Sequence, residues 1–322
     1  MLHDLMCADS ADLAPQPLSP CLSPCLPVLR AGFEASGSGR WLMRTIAEHG
    51  LDQANGFWLQ ITLADDQAQG GLQATEACLA GASADVVDTD WLSIARCRRA
   101  GIALAAAVPY GAIFGGLVSR LGGVAALTDL AGRRIGVVHP EDKNWLLLRA
   151  ACRSLHGFDP ALVCTRIDTG SKTTLRAQLA DGSVDAALLY WHQIPALVAS
   201  GEFIEVCDLL DLLARLGVRT VPSTFFVFPD VLLRTQPTLV RGFARAVSAA
   251  LRLLRDDPCA WHAVTGTDAC AASAQALRAK WLARMALDWD SAMRTDLRAL
   301  ARCLNDDELP DGVFAAGFLA TR

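Results

Sequence analysis

Polar side chains that could bind a small molecule follow several strand-like segments of this 322-residue chain. Asp88 and Asp90 alternate along a short β-like stretch, where aspartate is otherwise disfavoured. Lys143 and Lys172 lie in the expected first turns of two helices, and a helix N-terminus with a nearby ammonium group attracts anions. The pattern predicts a small organic ligand with an anionic end at the helix termini and a hydrogen-bond donor end at Asp88 or Asp90.

Tryptophan residues recur beside these polar groups, so we expect the apolar or planar body of the ligand to lie between indole rings. Because Asp88 and Asp90 alternate along one strand, only one of them is expected to face the ligand. The candidate ligand-binding residues are Ser36, Ser38, Trp41, Asp66, Asp88, Asp90, Trp91, Asp142, Lys143, Trp145, Ser171, Lys172, Trp191 and His192.

Several candidates have a purely structural alternative. The serines at expected helix starts, and Asp142, could serve only as N-caps. Trp91 and Trp191 could belong to the core rather than to a binding site. Asp88 and Asp90 lack the capping alternative, because we expect both within a strand.

No catalytic motif accompanies these residues: the chain has no nucleophile elbow, phosphate-binding loop or HExxH sequence. His139 and His192 have aspartates nearby, but the spacing is not that of metal ligands. The eleven cysteines match neither a zinc site nor a disulfide framework. We therefore expect no catalytic residue, no metal site and no cofactor.

The segment that positions the candidate residues occurs twice. LAGASADVVDTDW at 79–91 and LADGSVDAALLYW at 179–191 share their Leu-Ala start, one serine, one aspartate and the final tryptophan. A Trp-led helix and a His-Gly turn also precede each copy. A period of about one hundred residues predicts an internal duplication that gives two similar lobes. Asp85 and Asp185, in the turn of each copy, are predicted to be structural.

Alternating strands and helices predict an α/β fold with mixed, mostly parallel sheets flanked by helices. Ligands of such sheets bind beyond the carboxyl ends of the strands, so we expect a ligand cleft between the two lobes. Strands are predicted at 28–33, 57–63, 135–138, 162–167 and 186–190. Helices are predicted at 40–48, from Trp145, at 173–179 and from Pro237, where proline suits the first helical position.

Composition excludes other classes of protein. The net charge of −5 and the pI near 5.7, without a basic stripe, argue against nucleic-acid binding. The uncharged run Ile102–Val118 is short for a membrane span and contains Pro109, so we predict two buried strands joined at Pro109-Tyr110-Gly111. Residues 1–27 are proline-rich and are predicted to be an unstructured leader that does not match a secretory signal.

Three segments together resemble a known family: LAGRRIGV at 130–137, LADGSVDA at 179–186 and QPTLVRGFARA at 236–246. The chain resembles the substrate-binding proteins of bacterial importers for nitrate, sulfonates, taurine and thiamine precursors, from about Val28 to Gly266. The resemblance implies the type II periplasmic-binding fold, in which two crossings between the lobes form a hinge. We expect those crossings near Val118–Leu121 and Val221–Thr224. Residues 28–118 would then form the first part of lobe 1, 119–223 lobe 2, and 224–322 the return to lobe 1 with C-terminal helices.

The same resemblance implies a function. The protein would capture a small anionic or zwitterionic molecule by hinged closure and deliver it, as a monomer in the periplasm, to the membrane subunits of an ABC importer. An enzyme on the same fold, of the thiamine-precursor or menaquinone-pathway type, is the alternative. The N-terminus without a recognisable signal and the many thiols keep a cytoplasmic location open.

Overall fold

The computed structural model describes residues 26–66, 74–268, 271–285, 290–304 and 309–315; most of the predicted leader lies outside these ranges. The strands are β1 (Val28–Glu34), β2 (Trp58–Ala64), β3 (Val87–Asp90), β4 (Leu104–Gly111), β5 (Gly116–Arg120), β6 (Arg134–Val137), β7 (Thr165–Asp168), β8 (Ala186–Leu189), β9 (Phe203–Asp208) and β10 (Thr224–Pro229). The helices are α1 (Gly39–Glu48), α2 (Leu51–Ala54), α3 (Ala74–Ala80), α4 (Trp91–Arg99), α5 (Lys143–His156), α6 (Pro160–Val163), α7 (Lys172–Asp181), α8 (Ile194–Ala199), α9 (Leu209–Arg215), α10 (Asp230–Thr235), α11 (Pro237–Asp256), α12 (Pro258–Thr265), α13 (Ala272–Arg284) and α14 (Ser291–Cys303).

The strands form two lobes with the same order. Lobe 2 contains a five-stranded sheet in the order β7-β6-β8-β5-β9. In lobe 1, the pair β1-β2 and the sheet β3-β10-β4 are joined by a parallel bridge between Ala31 and Val86, which gives β2-β1-β3-β10-β4. In each lobe a single strand, β10 in lobe 1 and β5 in lobe 2, is antiparallel to its two neighbours. The predicted two-lobed α/β fold with mixed, mostly parallel sheets is confirmed.

In each lobe, one arginine and one aspartate form a fork of hydrogen bonds that joins two neighbouring strands of the sheet. Asp85 accepts hydrogen bonds from the backbone N–H of Arg30 at 2.9 Å and from its guanidinium at 3.0 and 2.6 Å. Asp185 accepts equivalent bonds from Arg134 at 2.7, 3.3 and 2.8 Å. Both aspartates are structural, as predicted, but each joins two neighbouring strands rather than stabilising only its own turn.

The first crossing between the lobes comes earlier than predicted. β4 runs unbroken through Pro109, which an edge strand with a register shift tolerates. β5 already pairs with β8 and β9 of lobe 2, so the crossing lies at 112–115 rather than at Val118–Leu121. Gly115 is required there, because a Cβ would overlap the carbonyl oxygen of Leu189. The second crossing lies in the segment between α9 and β10.

Helix α13 braces the first crossing. The backbone N–H of Ala112 donates to the carbonyl oxygen of Arg284 at 2.7 Å. The buried Arg284 guanidinium donates to the carbonyl oxygen of Phe114 at 2.9 Å and to the carboxylate of Asp208, at the end of β9, at 2.6 Å. α13 packs its Trp281 into the lobe 1 core while this guanidinium reaches lobe 2. The C-terminal region therefore contacts both sides of the hinge.

Other local differences have simple causes. The predicted strand 162–167 is instead α6 followed by β7, because Asp159 accepts a hydrogen bond from the backbone N–H of Ala161 and caps a turn that Pro160 begins. α5 begins at Lys143, before Trp145, because Asp142 caps it. α11 begins at Pro237 as predicted. None of the described helices is long and apolar enough to cross a membrane.

We expect Asp85→Ala to lower the free energy of unfolding by about 1–3 kcal/mol, because a backbone N–H and a guanidinium in the sheet lose their shared acceptor. Asp256→Ala is the matched control: its carboxylate also binds an arginine through two bonds, but that partner is the adjacent, exposed Arg255. The control should leave stability nearly unchanged, because an exposed ion pair contributes little. Urea denaturation compares the variants, and equal losses would contradict the role given to the fork.

Candidate functional site

The carboxyl ends of β1, β3 and β8 meet at a small cavity between the lobes. Its volume is about 50 Å³, and both lobes contribute charged side chains to its wall. Strand ends are where α/β sheets place ligands, so the position agrees with the predicted cleft. The lining residues are Glu34, Gly37, Ser38, Asp88, Thr89, Asp90, Ile113, Lys143, Lys172, Tyr190, His192 and Thr224.

Lys172 and Glu34 form an ion pair across the cleft. Both side chains are largely buried, and the Lys172 ammonium also lies 4.4 Å from the centre of the Tyr190 ring. Burial acts to lower the pKa of Lys172, but the Glu34 carboxylate outweighs burial and raises it. The ammonium therefore stays charged and draws lobe 2 towards the end of β1.

Asp90 and Lys143 form a second ion pair between the lobes, at 3.3 Å. Asp90 is also the N-cap of α4, since its carboxylate accepts a hydrogen bond from the backbone N–H of Ser93 at 2.9 Å. Burial acts to raise the pKa of Asp90, but the Lys143 ammonium outweighs it and the pKa lies below its ordinary value. The expectation that Asp90 is no cap is wrong, because β3 ends at this residue and α4 begins at the next.

Asp88 lines the same cavity as Asp90, contrary to the expectation that only one of them would do so. Its carboxylate lies against the start of α1, where a Cβ on Gly39 would come within 2.7 Å of Oδ2. Burial and the nearby Glu34 carboxylate raise the pKa of Asp88 to about 6. Within the described ranges, the Asp88 carboxylate has no ion pair and no hydrogen bond to another residue.

His192 closes the cavity from lobe 2 and is held in one tautomer. Its Nε2 lies 2.8 Å from the carbonyl oxygen of Ser36, so Nε2 carries the hydrogen and donates it. Burial and the Lys172 ammonium lower the pKa of His192 to about 3, so the imidazole is neutral. Nδ1 is then an acceptor, and it is buried without a partner among the described residues.

Helix starts account for most of the remaining predicted residues. Asp142 caps α5 through the backbone N–H of Asn144 and accepts a second bond from the Tyr190 hydroxyl at 3.1 Å. Ser171 caps α7. Ser38 makes no cap bond at α1; its hydroxyl accepts instead from Tyr110 at 2.9 Å.

Asp66 joins the rim of the cleft rather than its cavity. Its Oδ2 accepts hydrogen bonds from the Ser36 hydroxyl at 3.2 Å and from the backbone N–H and hydroxyl of Thr173 at 3.0 and 3.1 Å. Asp66 therefore links the two lobes at the start of α7.

The four tryptophans predicted to bind the ligand lie behind the cavity and line no part of it. Trp91 and Trp145 are fully buried in the core, which is the structural alternative that the sequence left open for Trp91. Trp191 leaves the end of β8 in lobe 2 and enters the lobe 1 core, with its ring centre 5.9 Å from that of Trp41. Trp41 also lies edge-on to His192 at 6.1 Å. The indole rings thus support the polar groups instead of forming the walls.

Sequence reasoning missed several lining residues. Glu34 lies just beyond the predicted strand 28–33, although a carboxylate that directly ends an apolar strand could have marked it. Thr224 opens the returning strand β10, and only the strand order brings it beside β3. Ile113 reaches the cavity because the first crossing passes its edge.

A larger cavity of about 330 Å³ lies on lobe 1 alone, between α1, β2 and the end of α12. Its wall combines apolar side chains with Arg40 and Arg44, whose guanidiniums contact the Ala35 carbonyl oxygen and Glu48. In the part of the chain that the structure describes, no group of three His, Cys, Asp or Glu side chains could hold a metal ion. The interlobe cavity, with charges from both lobes, is therefore the candidate site.

Comparison with known families agrees with this architecture. The profile described as "NMT1/THI5 like" matches residues 71–260, which is more than half of the chain. The protein belongs to the NMT1/THI5-like family. No curated protein matches the chain.

Solved structures of the same fold include binding proteins of ABC import systems. The alkanesulfonate-binding protein SsuA from Xanthomonas axonopodis pv. citri, bound to MOPS, has a TM-score of 0.68 and 20% identity, covering 90% of this chain and 97% of its own. The periplasmic aliphatic sulphonate-binding protein SsuA from Escherichia coli has a TM-score of 0.64 and 16% identity, covering 89% of this chain and 95% of its own. The zinc-bound ligand-binding component of an ABC-type import system from Staphylococcus aureus has a TM-score of 0.70 and 13% identity, covering 91% of this chain and 98% of its own. These TM-scores establish a shared fold.

Asp88 and Asp90 should respond to pH with different signs. Asp88 binds a proton more tightly in the folded than in the unfolded protein, so stability falls as pH rises from about 4 to 6. Asp88→Asn removes this loss of stability, because asparagine does not titrate. The difference in unfolding free energy, variant minus wild type, should rise by about 1–2 kcal/mol between pH 4.5 and 7.5 in urea denaturation.

Asp90→Asn is the matched variant on the same strand. The pKa of Asp90 is lowered by its partners, so its contribution is present above about pH 4 and is lost only as pH falls further. This variant should be less stable than wild type at both pH values. The same pH trend in the two variants would contradict the assignment of Asp88 as the carboxylate without a partner.

Proposed function

We propose that the protein is a solute-binding protein that captures a small anionic or zwitterionic organic molecule in the interlobe cavity by hinged closure. The observation that carries the proposal is the meeting of charged residues from both lobes, Glu34 and Asp90 with Lys172 and Lys143, around one cavity at the strand ends. A site divided between two lobes is complete only when the lobes are together, so ligand binding and closure are coupled.

Two ammonium groups support recognition of an anionic group. Lys143 and Lys172 are the first residues of α5 and α7, so each adds its charge to the partial positive charge of a helix N-terminus. An incoming carboxylate or sulfonate would share these ammonium groups with Glu34 and Asp90. The carboxylates in the cavity favour a zwitterion over a simple anion.

A binding role is supported over catalysis by the state of the candidate groups. His192 is neutral and donates to a backbone carbonyl oxygen rather than to a nucleophile. Burial raises the pKa of the thiols of Cys97, Cys152 and Cys207 to about 12, which keeps them protonated and unreactive. An enzyme of the thiamine-precursor or menaquinone-pathway type would instead convert the bound compound.

Delivery to the membrane subunits of an ABC importer in the periplasm is proposed by analogy with the solved binding proteins, and a monomeric state remains an expectation from the family resemblance. Those relatives are named as periplasmic or as components of import systems. For this chain, fractionation of cells that produce a tagged protein would test the location.

We expect a thermal-shift screen of small metabolites to find a ligand, since a bound ligand stabilises the fold by about 2.7 kcal/mol at one hundred times its Kd. A saturating amount of that ligand should reduce the radius of gyration in small-angle scattering and return unchanged by mass spectrometry. An unchanged radius would contradict closure, and turnover would favour the enzyme.

Lys172→Ala should weaken binding of that ligand by about 1–3 kcal/mol in calorimetry, because an ammonium group in the cavity is lost. Arg166→Ala is the matched control, since it removes a surface cation of lobe 2 that pairs only with Asp168. It should leave affinity unchanged. Equal affinities in both variants would remove Lys172 from the site.

A further inference from the structure

The charges around the interlobe cavity do not balance. Its wall contains three carboxylates, Glu34, Asp88 and Asp90, and two ammonium groups, Lys143 and Lys172. His192 adds no charge, because its imidazole is neutral. The wall therefore has one more negative than positive side chain.

The ion pairs among these groups show which carboxylate contacts neither ammonium group. Lys172 pairs with Glu34, and Lys143 pairs with Asp90, which is also satisfied by the N-terminus of α4. Asp88 has neither an ion pair nor a hydrogen bond to another of the described residues. Lys172 and Lys143 also attract the Asp88 carboxylate without contacting it. Each of these cations is in contact with another carboxylate, so Asp88 is the carboxylate available to hydrogen-bond a ligand.

Other groups in the wall also lack a partner. Nδ1 of His192 is an acceptor only, because Nε2 donates to the Ser36 carbonyl oxygen, and it has no donor among the described residues. The Thr224 hydroxyl, on a residue that is 5% exposed, likewise has no partner within the described ranges. Asp88 and His192 can only accept and Thr224 can do either, so this part of the wall requires hydrogen-bond donors.

We infer that the ligand carries a protonated nitrogen, a primary ammonium or an amidinium group, whose N–H groups bind the Asp88 carboxylate. This inference rests on the proposed function and narrows its ligand class from anions and zwitterions to zwitterions with a cationic nitrogen. The cationic nitrogen offsets the unpaired charge of Asp88, whereas a simple anion would double the excess charge of the wall. A cavity of about 50 Å³ limits the enclosed part of the ligand to a headgroup of a few non-hydrogen atoms.

Isosteric probes test the inference without knowledge of the natural ligand. Calorimetry and small-angle scattering on the full chain at pH 7.5 would compare propylamine, propionamidine and β-alanine with propionate, propanesulfonate and 1-propanol. The nitrogen cations should bind at least tenfold more tightly than the probes without nitrogen. Asp88→Asn should reduce this preference at least tenfold.

Two variants act as controls. Asp65→Asn removes an exposed carboxylate beyond β2 and should keep the preference. Thr224→Val removes a hydroxyl from the wall without changing its charge and should weaken the nitrogen probes less than Asp88→Asn does. Circular dichroism would verify that each variant is folded. If Asp88→Asn does not fold, two results decide the inference: the preference of the wild-type protein for nitrogen cations, and a reduction of that preference by Thr224→Val.

The outcomes separate the inference from the proposed function. If propionate or propanesulfonate binds more tightly than the nitrogen probes and compacts the protein, the inference is overturned while solute binding stands. An equal preference in wild type and a folded Asp88→Asn variant also overturns it. If no probe binds or compacts the protein, the inference is overturned, and the metabolite screen with scattering then decides the proposed function.

Discussion

The arrangement of the two lobes depends on charges buried against each other at their interface. Lys172 with Glu34, and Lys143 with Asp90, each place an ammonium group of lobe 2 beside a carboxylate of lobe 1. Removing one partner would leave a buried charge without compensation, which is costly, so the four residues act as a set. This requirement explains why strand ends, helix starts and the returning strand β10 converge at one point.

The duplicated architecture could be predicted because its signals are local and occur twice. Arg30 with Asp85, and Arg134 with Asp185, repeat one fork at the same place in each sheet, and glycines with left-handed backbone, Gly50 and Gly157, end the first helix of each lobe. The return of the chain to lobe 1 at 224 was also expected, and the segment VPSTFFVF at 221–228 is rich in residues that favour strands. The first crossing was misplaced, because nothing in the uncharged sequence marks where one sheet ends and the next begins.

The site could be predicted less completely than the fold. Residues at strand ends were found by type and position, and Asp88, Asp90, Lys143, Lys172 and His192 do line one cavity. Which group pairs with which depends on contacts between distant segments, so the double role of Asp90 and the isolation of Asp88 had no sequence signal. The tryptophans were misjudged because aromatic rings near a strand end can face the core or the cleft with the same local sequence.

Helix α13 has a consequence for how affinity could vary among related proteins. Arg284 joins the crossing backbone to Asp208, and no residue of α13 lines the cavity. If the lobes open and close as proposed, changes in this helix alter the energy difference between the two forms while the cavity wall stays the same. Binding strength can then diverge in evolution through α13 without a change in ligand choice.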